Sequence, residues 1–93
     1  MIASVRHRAL RRFFENGDAR GLKHDQVKRL RRILMVLHSA ERVEDVGYLP
    51  GMRLHPLKGD LAGYWSVSVF GNWRLVFRFE GGDAFDIDLV DYH

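Results

Sequence analysis

Hydrophobic and polar positions change period along this chain. Ile2 to Arg6 is too short a run for a helix before the pattern shifts, and it predicts a first strand. Ala9, Leu10, Phe13 and Phe14 then recur at helical spacing between Arg8, Arg11, Arg12 and Glu15, and Asn16-Gly17 supplies a C-terminal stop. Val27, Leu30, Ile33, Leu34 and Leu37 line one face of a second, longer helix, with Asp25 as its expected cap. Residues 41 to 51 read as a connector ending in Pro50-Gly51. Beyond it the period drops to two. Trp65, Val67 and Val69 alternate with serines; Trp73, Leu75, Phe77 and Phe79 alternate with Arg74, Val76 and Arg78; Phe85, Ile87 and Leu89 alternate with Asp86 and Asp88.

Register follows from which side chains must face inward. A two-residue Gly81-Gly82 turn would set Phe77 opposite Asp86 and bury a carboxylate, because paired residues project to the same face. A three-residue loop of Gly81, Gly82 and Asp83 instead pairs Phe79 with Phe85, Phe77 with Ile87, and Arg78 with Asp86 on the open face. The same logic places Phe70, Gly71 and Asn72 in the preceding loop. The expected fold is α+β: two N-terminal helices on one face of a mainly antiparallel sheet of four to five strands. The open face then carries Ser66, Ser68, Arg74, Arg78, Asp86 and Asp88.

Ninety-three residues, 46% hydrophobic and 29% charged, fit a single folded domain spanning residues 1 to 93. Without cysteine there is no disulfide framework, thiolate metal site or cysteine nucleophile. The N-terminal stretch has no uninterrupted apolar run of signal-peptide length, and nowhere do eighteen apolar residues follow one another. The expectation is therefore a soluble, cytoplasmic chain with no membrane partner. A net charge of +3 conceals an asymmetry: residues 1 to 32 hold ten Lys/Arg against three acids, and residues 33 to 93 hold five against nine. A basic front third favours a polyanion such as nucleic acid or an acidic protein, although solvated helix faces look the same.

Candidate chemistry concentrates in His55-Pro-Leu-Lys-Gly-Asp-Leu-Ala-Gly-Tyr-Trp65. The proline biases His55 to extended backbone, Lys58-Gly59-Asp60 forms a turn, and Gly63-Tyr64-Trp65 opens the next strand. Taken singly, His55 is an ordinary polar residue, Lys58 a solvated turn residue, and Tyr64 or Trp65 core. Asp91-Tyr92-His93 changes the weighing, since it ends a strand of the same sheet with a carboxylate, a phenol and a second imidazole. Two histidines with Lys58 and Arg74 on one end of the open face would supply what RNA cleavage by its own 2′-hydroxyl requires: a base, an acid, and cations for the crowded phosphate. No H-E-x-x-H cluster, nucleotide-binding glycine loop or serine nucleophile elbow occurs, so no metal or cofactor is expected.

The same residues resemble HigB-type toxins of the RelE/ParE superfamily, the toxic half of type II toxin–antitoxin pairs. The resemblance runs through MIASVRHRALRRFFENG, LHPLKGDLAGYWSVSV, NWRLVFRFEGGDAFDID and the terminal DYH, in order over nearly the whole chain. It implies a ribosome-dependent endoribonuclease that cuts messenger RNA in the A site and arrests translation. It matches His55, Asp91, Tyr92 and His93 to the family's catalytic set and Lys58 and Arg74 to its substrate-binding cations. It also implies a HigA-like helix-turn-helix antitoxin, with operator DNA reached only through that complex. Phe85 and Leu89 stand where relatives often have tyrosine, and both fall on the expected core face. Two other readings stay open: a module that binds RNA or protein without cutting, and a ParE-like toxin directed at gyrase, against which HPLKGD and DYH argue.

Overall fold

The helices form where the 3.6-residue period predicts them. The computed structural model describes residues 1–92; His93, which carries one of the expected catalytic roles, lies outside the described residues. Helix α1 spans Arg8–Asn16, and its first turn is capped by His7, whose Nδ1 accepts the Leu10 N–H at 3.1 Å. Gly17 closes it in left-handed backbone at φ 72°, its N–H donating to Phe13 O. Helix α2, His24–Ser39, buries Leu30, Ile33, Leu34 and Leu37. Asp25 does not cap it: Lys23 holds the cap position without a side-chain bond, and Asp25 lies in the first turn, where the helix dipole favours a carboxylate. The connector contains a third helix that the sequence pattern did not predict, α3 at Val43–Val46. One turn is too short to show a period. It is held by Asp45, whose Oδ2 accepts the N–H groups of Glu41 and Arg42 at 3.1 Å each, bonds that keep its carboxyl below the usual carboxylate range.

Four antiparallel strands follow in the order β1 (His55–Pro56), β2 (Tyr64–Phe70), β3 (Trp73–Glu80) and β4 (Asp83–Asp91). A 3₁₀ turn at Gly59–Leu61 joins β1 to β2. Val67, Leu75, Phe77, Ile87 and Leu89 close one face of the sheet against Leu10, Phe13 and the apolar stripe of α2. Before β1, Arg53 takes left-handed backbone at φ 51°; on one side of this kink Met52 is fully buried, and on the other His55 is exposed at the sheet edge.

The β3–β4 hairpin corrects the predicted register. Glu80 pairs with Asp83, Phe79 with Ala84 and Arg78 with Phe85, so the turn is the two-residue Gly81-Gly82. A bulge then restores the predicted pairing: Val76 faces Asp88, Leu75 faces Leu89 and Trp73 faces Asp91. The extra residue is Asp86, in left-handed backbone at φ 54°. A short polar side chain tolerates that conformation better than a bulky one. The bulge does what a three-residue loop would have done: it keeps Asp86 out of the core while Ile87 stays fully buried. One consequence is that Ala84 takes the inward position and Phe85 turns to the open face, beneath the Arg78 guanidinium at 5.4 Å. The β2–β3 hairpin behaves alike. Pairs from Tyr64–Arg78 to Ser68–Arg74 are in the predicted register, but Phe70 pairs with Trp73 across a two-residue turn, with the irregularity at Val69.

The predicted first strand is reduced to two isolated parallel bridges on β4, Ile2 to Ala84 and Val5 to Ile87. Ser4, between them, accepts the Asp86 N–H on its Oγ at 2.8 Å.

Candidate active site on the open face of the sheet

Alternation along the paired strands assigns the side chains to faces. His55, Ser66, Val76 and Asp88 form one transverse row, and Ser68, Arg74 and Val90 form the next. Tyr92 continues the β4 alternation from Asp88 and Val90, so it belongs to the same open face. His55, Arg74 and Tyr92 therefore lie on one surface, the side of the sheet away from the helices. His55 is exposed and has no side-chain partner among the described residues. Tyr92 is 45% exposed, and its N–H is fastened to Asn72 O at 2.8 Å, which ties the end of β4 to the β2–β3 turn.

Arg74 is held at that same end. Its Nη1 donates to Gly71 O at 2.9 Å and to Trp73 O at 3.1 Å, which fixes the guanidinium over the turn. Asp91 pairs with Trp73 and alternates to the opposite side from Tyr92, at the exposed strand end. Lys58 follows β1 in the other direction, toward Tyr64, and stands exposed at the start of the 3₁₀ turn. That turn folds back over the open face, because Leu61 meets Tyr64, Val76, Val90 and Tyr92 in a cleft of about 110 Å³. The pairing thus sets His55, Arg74 and Tyr92 on one face, with His55 on the edge strand β1 and Tyr92 past the end of β4 at the other edge, carries Lys58 on a loop at the opposite end of the strands, and leaves Asp91 at the margin.

Two polar features support this surface. Arg78 Nε donates to Asp86 Oδ2 at 3.0 Å, and this bond raises the Arg78 pKa above its ordinary value. Ser66, paired with His55 in register, is fully buried, and its Oγ has no hydrogen-bond partner among the described residues. Like Phe85, Tyr64 lies on the open face and not in the core where its residue type alone would put it. With Trp65 on the core face, period two puts Tyr64 outside, where it pairs with Arg78 and lines the cleft. The cations of the basic front third lie mostly on α1 and α2, on the far side of the sheet; Arg6 is the one that reaches the cleft. Among the described residues, no group of three or more His, Cys, Asp or Glu side chains is placed to hold a metal ion. No helix there is long and apolar enough to cross a membrane.

A family described as the RelE-like toxin HigB of type II toxin–antitoxin systems matches residues 3–93. This chain belongs to that family. Endoribonuclease HigB of Proteus vulgaris is 39% identical over 93 residues, covering 100% of both chains. Among solved structures, a YafQ mutant from E. coli is similar to this HigB-like toxin with a TM-score of 0.64 at 16% identity, covering 98% of this chain and 91% of that one. A YoeB–YefM complex from Staphylococcus aureus gives 0.59 at 18% identity, covering 100% and 95%. At such identities the two structures establish a common α+β fold and nothing finer.

Proposed function

We propose that this HigB-like toxin is an endoribonuclease that cuts messenger RNA on the ribosome and so arrests translation. The observation that carries the reading is the shared face: an exposed imidazole at His55, the tethered Arg74 guanidinium and the Tyr92 phenol occupy one open surface of a chain 39% identical end to end to an endoribonuclease. The reaction needs no bound cofactor. A base removes the 2′-hydroxyl proton, the 2′-oxygen attacks phosphorus, and the 5′-oxygen leaves as an acid protonates it. The products are a 2′,3′-cyclic phosphate and a free 5′-hydroxyl.

His55 and His93 share the proton transfers, each of the order of 10² to 10⁴ in rate. Asp91, from the strand margin, serves as base or orients one, Tyr92 holds the nucleotide, Arg74 offsets the charge that develops on the phosphate, and Lys58 meets the RNA strand at the other end of the sheet. A flat, open surface aligns an RNA strand poorly by itself. A ribosome holding the message would supply the in-line geometry. The chain's partner as a type II toxin is a cognate antitoxin, here a HigA-like helix-turn-helix protein that carries the complex to operator DNA, and its place of action is the cytoplasm.

The test is 5′-end mapping of messages in a translating extract given the parent chain, His55→Ala, or a chain ending at Tyr92. New ends in translated messages with the parent, reduced by at least 10²-fold in both variants, are expected. Intact messages with the parent overturn the nuclease reading. Undiminished cleavage in both variants overturns the assignment of the site.

A further inference from the structure

The cleft beneath the 3₁₀ turn is lined by side chains of two kinds. Leu61, Tyr64, Val76, Val90 and Tyr92 make it apolar and aromatic, and Asp88 puts a carboxylate into it. One Asp88 oxygen is engaged: Oδ1 accepts the Leu89 N–H at 3.0 Å, which fixes the carboxyl plane. The other has no protein partner among the described residues. Asp86, the second acid of the lining, is committed elsewhere, to Arg78 Nε at 3.0 Å and to the Ser4 hydroxyl at 3.4 Å. At about 110 Å³ the cleft admits one planar ring and not a whole nucleotide.

The geometry points to a nucleobase site, in which the ring lies against Tyr64 and Tyr92 while Asp88 accepts a hydrogen bond from an exocyclic amino group. The inference rests on the nuclease reading and adds its base preference. Aromatic side chains stack on any base, so they give grip without selection. Selection comes from the carboxylate, which only accepts. Adenine, cytosine and guanine each present an amino donor. Uracil presents two carbonyls flanking a single N–H, and their lone pairs face the Asp88 oxygen unfavourably. The site is also placed for a strand running over the open face: Val90, in its lining, is the register partner of Arg74, whose guanidinium is held over the β2–β3 turn, so a strand leaving the cleft in that direction passes toward a fixed cation. Arg6, which also lines the cleft, offsets the two acids.

Two measurements test this. Reporter messages that differ only in the base beside the cleaved bond are translated in extract with the parent and with Asp88→Asn, an isosteric side chain that can both donate and accept. The parent is expected to cut the uracil message at least 10-fold more slowly than the cytosine message, and Asp88→Asn to narrow that ratio to within 3-fold. An unchanged ratio overturns the inference and leaves the nuclease reading standing. Separately, purified protein is titrated with cytidine and uridine 5′-monophosphates while backbone amide resonances are followed. Shifts at Leu61, Tyr64 and Asp88 to Tyr92 that saturate at lower cytidine than uridine concentration support the cleft even if the parent cuts no message. Equal or absent shifts overturn it.

Discussion

The bulge at Asp86 makes a quantitative prediction about backbone strain. Left-handed backbone costs an ordinary L-residue about 1–2 kcal/mol, and Asp and Asn bear it with less penalty. Asp86 adopts it at φ 54° inside a strand. The chain cannot escape the strain by straightening. Without the extra residue, the two-residue turn would set Asp88 opposite Leu75 and turn Ile87 and Leu89 outward. Losing two aliphatic side chains from the core at about 1.5–3 kcal/mol each costs more than the strain. The bulge therefore persists in variants, and the variant bears the conformational cost. Asp86→Asn keeps the shape and removes only the charge facing Arg78. Asp86→Gly removes the steric cost but loses the Arg78 contact and adds about 0.5–1 kcal/mol of unfolded-chain entropy, so it falls modestly below the parent. Asp86→Ala is expected about 1 kcal/mol below Asp86→Asn, and Asp86→Val, β-branched, about 2 kcal/mol below it. For a domain of this size each kcal/mol lowers Tm by about 4–8 °C. Urea unfolding followed by Trp65 and Trp73 fluorescence reads the series, with the m-value unchanged if the register holds. Equal midpoints for the Asn, Ala and Val variants would refute the reasoning.

Other perturbations isolate single interactions. His7→Ala should cost about 0.5–2 kcal/mol by uncapping α1, and His7→Asn should recover most of it in the same denaturation assay. Ser66→Ala removes a buried hydroxyl without a partner and is expected to stabilise the fold by about 1 kcal/mol; a lower midpoint would show that the hydroxyl is satisfied. Asp18 is held at a pKa of about 2, below the usual 3.8, chiefly by its side-chain bond to Arg20. A depressed folded-state pKa means stability fully present above the unfolded value and lost as pH falls from about 4 toward 2. Asp18→Asn should accordingly flatten the stability-versus-pH curve in that window, and an unchanged slope would show that the Arg20 contact does not persist in solution.

Much of this architecture is legible in the sequence because long periodic stretches bury what they repeat. Leu30, Ile33, Leu34 and Leu37 announce α2, and the alternation from Trp65 to Val69 announces β2 and its face. What escaped depends on one-residue events that leave no period. The turn at Gly81-Gly82 and the bulge at Asp86 are coupled, so inward-facing residues alone admitted a longer loop as an equal solution. Helix α3 spans one turn and is fixed by a single carboxylate. Tyr64, taken singly, suits the core, but its neighbour Trp65 claims that face and period two sends Tyr64 outward. For the candidate site, His55, Lys58, Arg74, Asp91 and Tyr92 stand out in the sequence through their expected faces and the family resemblance, whereas Asp88 becomes distinctive only where Leu61 joins it in lining a cleft.

The central claim is that His55 and Arg74 act on one phosphodiester held against the open face. A double-mutant cycle in single-turnover cleavage on translating ribosomes measures this directly, using the parent, His55→Ala, Arg74→Ala and the double variant. Groups serving one transition state are strongly non-additive, so the double variant should fall within about 10-fold of the slower single variant. Rates that multiply, leaving the double variant slower by the full product of the two single losses, would place the two side chains in separate tasks and contradict the account.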